Sequence, residues 1–145
     1  MIKVASRAPA WFWLTAAILL VWNLFGVMAF YMDITVGPEE RAAMPDYDRM
    51  LMDARPAWQL WAYGTAVWGG SFGAVALLLG RRIALGLFII SAIGVVFSMG
   101  WALVATDLIA VKGVVTAAAF PAFILAVALA SIWLARSAAR RGFLK

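Results

Sequence analysis

The sequence predicts an all-α, polytopic membrane protein, an antiparallel bundle of four transmembrane helices with one loop of short helices on its outer side. Three observations carry this expectation. Of the 145 residues, 66% are hydrophobic and 13% charged, too little polar surface to coat a water-soluble globule. The apolar residues gather in four runs, each close to the roughly 20 residues that cross a hydrocarbon layer of roughly 30 Å. All seven acidic residues fall in the connections on one side of these runs. Four crossings and their connections use nearly the whole chain, so residues 1–145 read as a single domain.

The first span is expected at about residues 11–32, after a short segment carrying Lys3 and Arg7, and it ends at Asp33. A basic start followed by an apolar run also fits a secretory signal, with Val27-Met28-Ala29 as a cleavage site. The run exceeds a signal core in length and carries Trp11, Trp13 and Trp22, which favours a retained helix.

Residues 33–56 form the long aqueous loop, where Asp33, Glu39, Glu40, Asp46, Asp48 and Asp53 alternate with Arg41, Arg49 and Arg55. Proline is favoured in a first helical turn and acids beside the positive end of a helix dipole. Pro38 and Pro45, each followed by acids, therefore predict short helices over 38–44 and 45–54. In the second, Tyr47, Met50, Leu51 and Ala54 share an apolar face. Span two is expected at about 57–79, and Gly80-Arg81-Arg82 turns the chain so tightly that span three, about 83–104, must be its antiparallel neighbour. A second outer connection, 105–113, holds Asp107 and Lys112, and span four covers about 114–135 before Arg136, Arg140, Arg141 and Lys145.

Eight of the twelve Lys and Arg residues lie on the side of the two termini and the Arg81-Arg82 turn, and four lie on the acidic side. The positive-inside bias then puts both termini in the cytoplasm of a bacterial inner membrane and the acidic loop outside. Trp11, Trp13, Trp58 and Trp61 fall at span boundaries, as interfacial aromatics do.

Several function classes are disfavoured by composition. The chain has neither cysteine nor histidine, hence no thiolate, imidazole ligand or histidine base, and no cofactor or metal is expected. The net charge of +5 sits beside apolar spans and offers no free basic helix for nucleic acid. No residue set amounts to a catalytic site, so no enzyme is expected. Within the four spans there is no Asp, Glu, Lys or Arg, although embedded ionisable groups normally mark ion pathways. Small multidrug exporters share the outline but need a membrane-embedded glutamate in their first helix, where this chain has only Asn23.

The candidate residues are Asn23, Gly69, Gly73, Gly94, Ser98 and Pro121. An amide in hydrocarbon needs a partner, so Asn23 is expected to face another helix, bonding a carbonyl or a hydroxyl such as Thr65, Ser71, Ser91 or Ser98, or else to contact a solute. Gly69 with Gly73, and Gly94 with Ser98, have the small-xxx-small spacing of close helix approach, for spans two and three or for a seam with another chain. Pro121 removes a backbone bond from span four and should bend it, opening a cavity if it serves as a gate. The outer acids read as a solvated, ion-paired loop in preference to a metal site, because they lack the spacing of a calcium loop.

Trp11-Phe12-Trp13, Trp22-Asn23-Leu24-Phe25-Gly26, Pro38-Glu39-Glu40, Pro56-Ala57-Trp58, Trp68-Gly69-Gly70 and the terminal Gly142-Phe143-Leu144 resemble a family of short bacterial four-helix inner-membrane proteins that often carry the label "sugar transporter". The likeness spans most of the chain and implies the four-helix fold, without a set of substrate residues to carry over. The expected role is a structural or accessory subunit that packs, in the lipid bilayer, against a larger membrane protein. The alternative is a small-solute, sugar-like transporter that works as a homo-oligomer.

Overall fold

Each apolar run becomes one helix in the computed structural model, which describes residues 7–145. The order is α1 (Ala10–Ile34), α2 (Pro38–Ala43), α3 (Asp46–Ala54), α4 (Ala57–Leu78), α5 (Ile83–Val104), α6 (Leu108–Lys112) and α7 (Val114–Arg140). Lys3, counted in the basic bias, lies outside the described residues. Three helices, α1, α5 and α7, are long and apolar enough to cross a membrane. Helix α4 has the same 22 residues as α5 and no charged side chain, but Gln59, Thr65, Ser71, three tryptophans and four glycines make it less apolar.

Of these, Gln59, Gly69, Gly70, Ser71 and Gly73 belong to the interior, while Thr65 and the three tryptophans are exposed. Helix α4 packs on α1 along one side and on α5 along the other, and α5 continues the row to α7. Ten residues of α4 are buried, against two of α1. Helix α7 runs on to Arg140, past the expected end near residue 135, because the Arg136 and Arg140 stems can lie along the helix while their guanidiniums reach water.

The core fills the basic end of the bundle. Phe12 and Ala16 of α1, Ala74 and Leu77 of α4, Ala84 and Phe88 of α5, and Leu134, Ala135 and Ala138 of α7 form one buried cluster with Leu144. Two left-handed glycines build this end. Gly80 (φ +64°) closes α4 while the Arg81 N–H bonds Ala76 O at 2.8 Å, and Gly142 (φ +77°) closes α7 while the Phe143 N–H bonds Ala138 O at 2.9 Å. The two turns then join: the Lys145 N–H donates to Gly80 O (2.7 Å) and the Arg82 N–H to Lys145 O (2.9 Å), which seats Leu144 in the core and Phe143 against Phe12.

The acidic end is held by polar contacts instead. Arg55 pairs with Asp33 at 2.7 Å, tying the exit of α3 to the end of α1. Arg41 pairs with Asp53, Arg49 with Asp46, and Lys112 with Asp48. Tyr47 Oη donates to Asp107 Oδ1 at 2.6 Å, so the long loop and the 105–113 connection meet across the bundle end. Partial burial, then the Asp107 carboxylate beside it, push the Tyr47 phenol up to about 12. The short helix α6 within the second connection was not expected from sequence; five residues carry too little periodicity to show it.

Candidate functional site

Helices α1 and α7, at the two ends of the α1-α4-α5-α7 row, face each other across the bundle. Their aromatic side chains meet at Trp22 and Phe123, with ring centres 5.4 Å apart and planes at 84°. Between the four long helices lies a cavity of about 340 Å³, within the range of about 300–1,000 Å³ typical of small-molecule sites. Its wall takes Trp22, Asn23 and Phe25 from α1, Tyr63 and Gly70 from α4, Phe88, Ser91 and Ser98 from α5, and Phe120 and Ser131 from α7. The core cluster around Phe12, Leu77 and Leu134 closes the basic end, so the cavity is blind there.

Asn23 reaches this wall by an unexpected route. Its Nδ2 donates to Leu19 O of its own helix at 2.8 Å, and among the described residues no other helix supplies a partner. Its Oδ1 fills the space over Gly70 Cα where any Cβ would stand. The local i−4 bond takes one amide proton and Oδ1 lies against the Cα of Gly70, in place of the expected interhelical hydrogen bond.

The interhelical bonds run instead between α4 and α5. Ser91 Oγ donates to Ala66 O at 2.6 Å, and Gln59 Nε2 reaches Ser98 O and Oγ at 3.3 and 3.4 Å. Gly69 and Gly73 face α5: a Cβ on Gly69 would lie 3.3 Å from Leu87 O and from Ser91 Cβ, and one on Gly73 would lie 2.8 Å from the Phe88 ring. A Cβ on Gly94 would press 2.7 Å from Ala62 O and 2.8 Å from Ala66 N, so backbone meets backbone there. The structure therefore brings Asn23 and Ser98 to the cavity wall, and Gly69, Gly73 and Gly94 to the α4–α5 seam. Pro121 sits inside an unbroken α7, and its neighbours Phe120 and Ile124 line the cavity while Pro121 does not.

Three contributors escape sequence reasoning. Gly70, the seat of Asn23, sits one residue from the GxxxG pair and so turns toward α1. Gln59 is 8% exposed, and its Oε1 accepts from no described group. A glutamine just inside a span was a signal for it, masked by the adjacent Trp58 and Trp61, which read as interface. Tyr63, four residues on, lines the cavity and packs edge-on against Phe30 with ring centres 5.1 Å apart.

Chemically the wall is apolar with a few spent polar groups. Ser91 donates to Ala66 O and Ser131 to Val127 O, so neither hydroxyl proton is free for a guest. Comparison with protein-family models, curated proteins and solved structures gave no match.

Proposed function

We propose that this chain is a four-span protein of a bacterial inner membrane, with cytoplasmic termini, acting as a non-enzymatic accessory subunit of a larger membrane assembly. Helix α4 is the fourth span in this reading. The Gly80 turn leaves it antiparallel to α5, and its lower hydropathy comes partly from Gln59, Ser71 and the glycines buried against α1 and α5 and partly from exposed tryptophans. The charge bias then directs the Arg81-Arg82 end inward and the ion-paired end outward.

The observation that carries the accessory reading is the blind apolar cavity. A polar solute crossing the bundle needs a path with two ends and hydrogen-bond partners to replace its water. Here one end is packed by Phe12, Leu77, Leu134 and Leu144, and two of the four wall hydroxyls, Ser91 and Ser131, are spent on backbone carbonyls. The ion-paired outer face, with the two connections locked by Tyr47–Asp107 and Lys112–Asp48, is a preformed surface for a partner. The second reading, an oligomeric transporter of small sugar-like solutes around Asn23, rests only on Asn23 lining a cavity of small-molecule size.

Native-membrane copurification separates the two. The accessory reading expects a stoichiometric larger partner, and purified protein in proteoliposomes passing no sugar or polyol. Saturable uptake that Asn23→Leu removes without unfolding the bundle would overturn it. Reporters fused after Lys145 and in the Arg81-Arg82 turn should be cytoplasmic and one at Asp46 external; any inversion refutes the topology.

A further inference from the structure

We propose that the cavity is a binding site for a neutral, lipid-dissolved carbonyl compound of the quinone class. This rests on the reading of the cavity as a pocket and not a pathway, and adds the identity of its guest.

Four features select that chemistry. The guest must be uncharged, because among the described residues no Asp, Glu, Lys or Arg lines the cavity, and an ion there would have no counter-charge. It must be flat or flexible and apolar, because Trp22, Phe25, Phe88 and Phe120 supply much of the wall. A dry cavity of about 150 Å³ accepts benzene, so 340 Å³ holds one substituted ring with the start of a chain.

The unspent polar groups decide the rest. Among the described residues, Tyr63 Oη makes no hydrogen bond. Ser98 Oγ accepts from Gln59 Nε2 but donates to nothing. Asn23 Oδ1, the acceptor of the wall, is occupied over Gly70. What the wall offers is therefore donors, the hydroxyl protons of Tyr63 and Ser98 beside the indole N–H of Trp22 and the second Nδ2–H of Asn23. The two hydroxyls come from neighbouring levels of the bundle, since Gln59, bonded to Ser98, precedes Tyr63 by one helical turn. A guest with carbonyl oxygens on a ring meets both, whereas a hydrocarbon chain leaves them unpaired at a cost. Entry is lateral: an apolar molecule already in the bilayer reaches the pocket between α1 and α7, which touch at Trp22–Phe123.

The test uses purified full-length protein in nanodiscs of neutral phospholipid, with a decyl-substituted benzoquinone as probe and decane as the matched hydrocarbon. Thermal unfolding is followed by circular dichroism as each probe is added. The quinone should raise the midpoint saturably and more than decane does. Tyr63→Phe and Ser98→Ala should each weaken the apparent quinone affinity by about tenfold and leave the decane response unchanged. Val127→Trp, which fills the cavity from α7, should abolish both responses while the protein stays helical. If Val127→Trp unfolds the bundle, Ala128→Leu replaces it as the smaller filler and should weaken both responses. Equal shifts with quinone and decane would overturn the carbonyl assignment, and a quinone shift unaffected by the filling variant would overturn the site. Neither result bears on copurification, so this proposal and the accessory reading fail separately.

Discussion

Gly94→Ala tests the α4–α5 seam most directly. The new Cβ would stand 2.7 Å from Ala62 O, 2.8 Å from Ala66 N and 3.1 Å from Ala66 Cα. Carbon contacts prefer about 3.5 Å or more, so the helices must separate by several tenths of an ångström, and the neighbours here are backbone atoms that cannot rotate away. The separation also stretches Ser91 Oγ···Ala66 O, now 2.6 Å, and carries the Gln59–Ser98 contacts past useful distance. Overpacking of this kind costs about 1–3 kcal/mol. Gly86 supplies the control, because a Cβ there meets nothing within 4 Å. Both substitutions gain the same helix propensity, about 1 kcal/mol, so it cancels between them. Gly94→Ala should therefore be less stable than Gly86→Ala by about 1–3 kcal/mol. Reversible unfolding in mixed micelles of rising dodecyl sulfate fraction, followed by circular dichroism, measures the difference. Unfolding curves that coincide would refute the seam.

Three further outcomes follow from the polar contacts. The Tyr47 phenol is held neutral in the folded state, up to about 12 against its usual 10.0, so the stabilisation it gives is complete below pH 10 and lost as the pH rises through 12. Tyr47→Phe should flatten alkaline melting over that window, and an unchanged profile would show that the loop-to-connection contact does not hold the acidic end. Arg55→Leu leaves Asp33, only 26% exposed, without its partner and should cost about 1–2 kcal/mol, between the surface and buried cases. A double-mutant cycle with Asp33→Asn should recover most of it, and additive losses would mean the pair does not interact. Gln59→Leu removes an orphaned buried acceptor together with two long hydrogen bonds, so it should be neutral or stabilising by up to about 1 kcal/mol. A loss above 2 kcal/mol would mean that Oε1 has a partner, such as a buried water.

The sequence by itself determined where every helix but α6 lies, save the late end of α7. Hydrophobic runs of spanning length, Pro38 at the start of α2, acids in the first turns of α2 and α3, and the glycine turn past α4 are local signals, and helix formation answers to local chemistry. The glycine spacing also pointed to close packing, which the fold puts between α4 and α5 at Gly69, Gly73 and Gly94. What only the tertiary structure decided is which faces meet. Asn23 turned onto Gly70 and its own helix, while Ser91, weighed in the sequence only as a partner for Asn23, and Gln59 make the interhelical bonds. The cavity likewise has no sequence signature. It exists because the basic end is drawn tight by Phe12, Leu144 and the joined turns at Gly80 and Gly142, while toward the acidic end aromatic rings hold α1 and α7 apart. Helical periodicity in lipid marks which residues lie on one face, but the solvent is as apolar as the interior, so hydrophobicity cannot say which face turns inward; packing shape alone makes that choice.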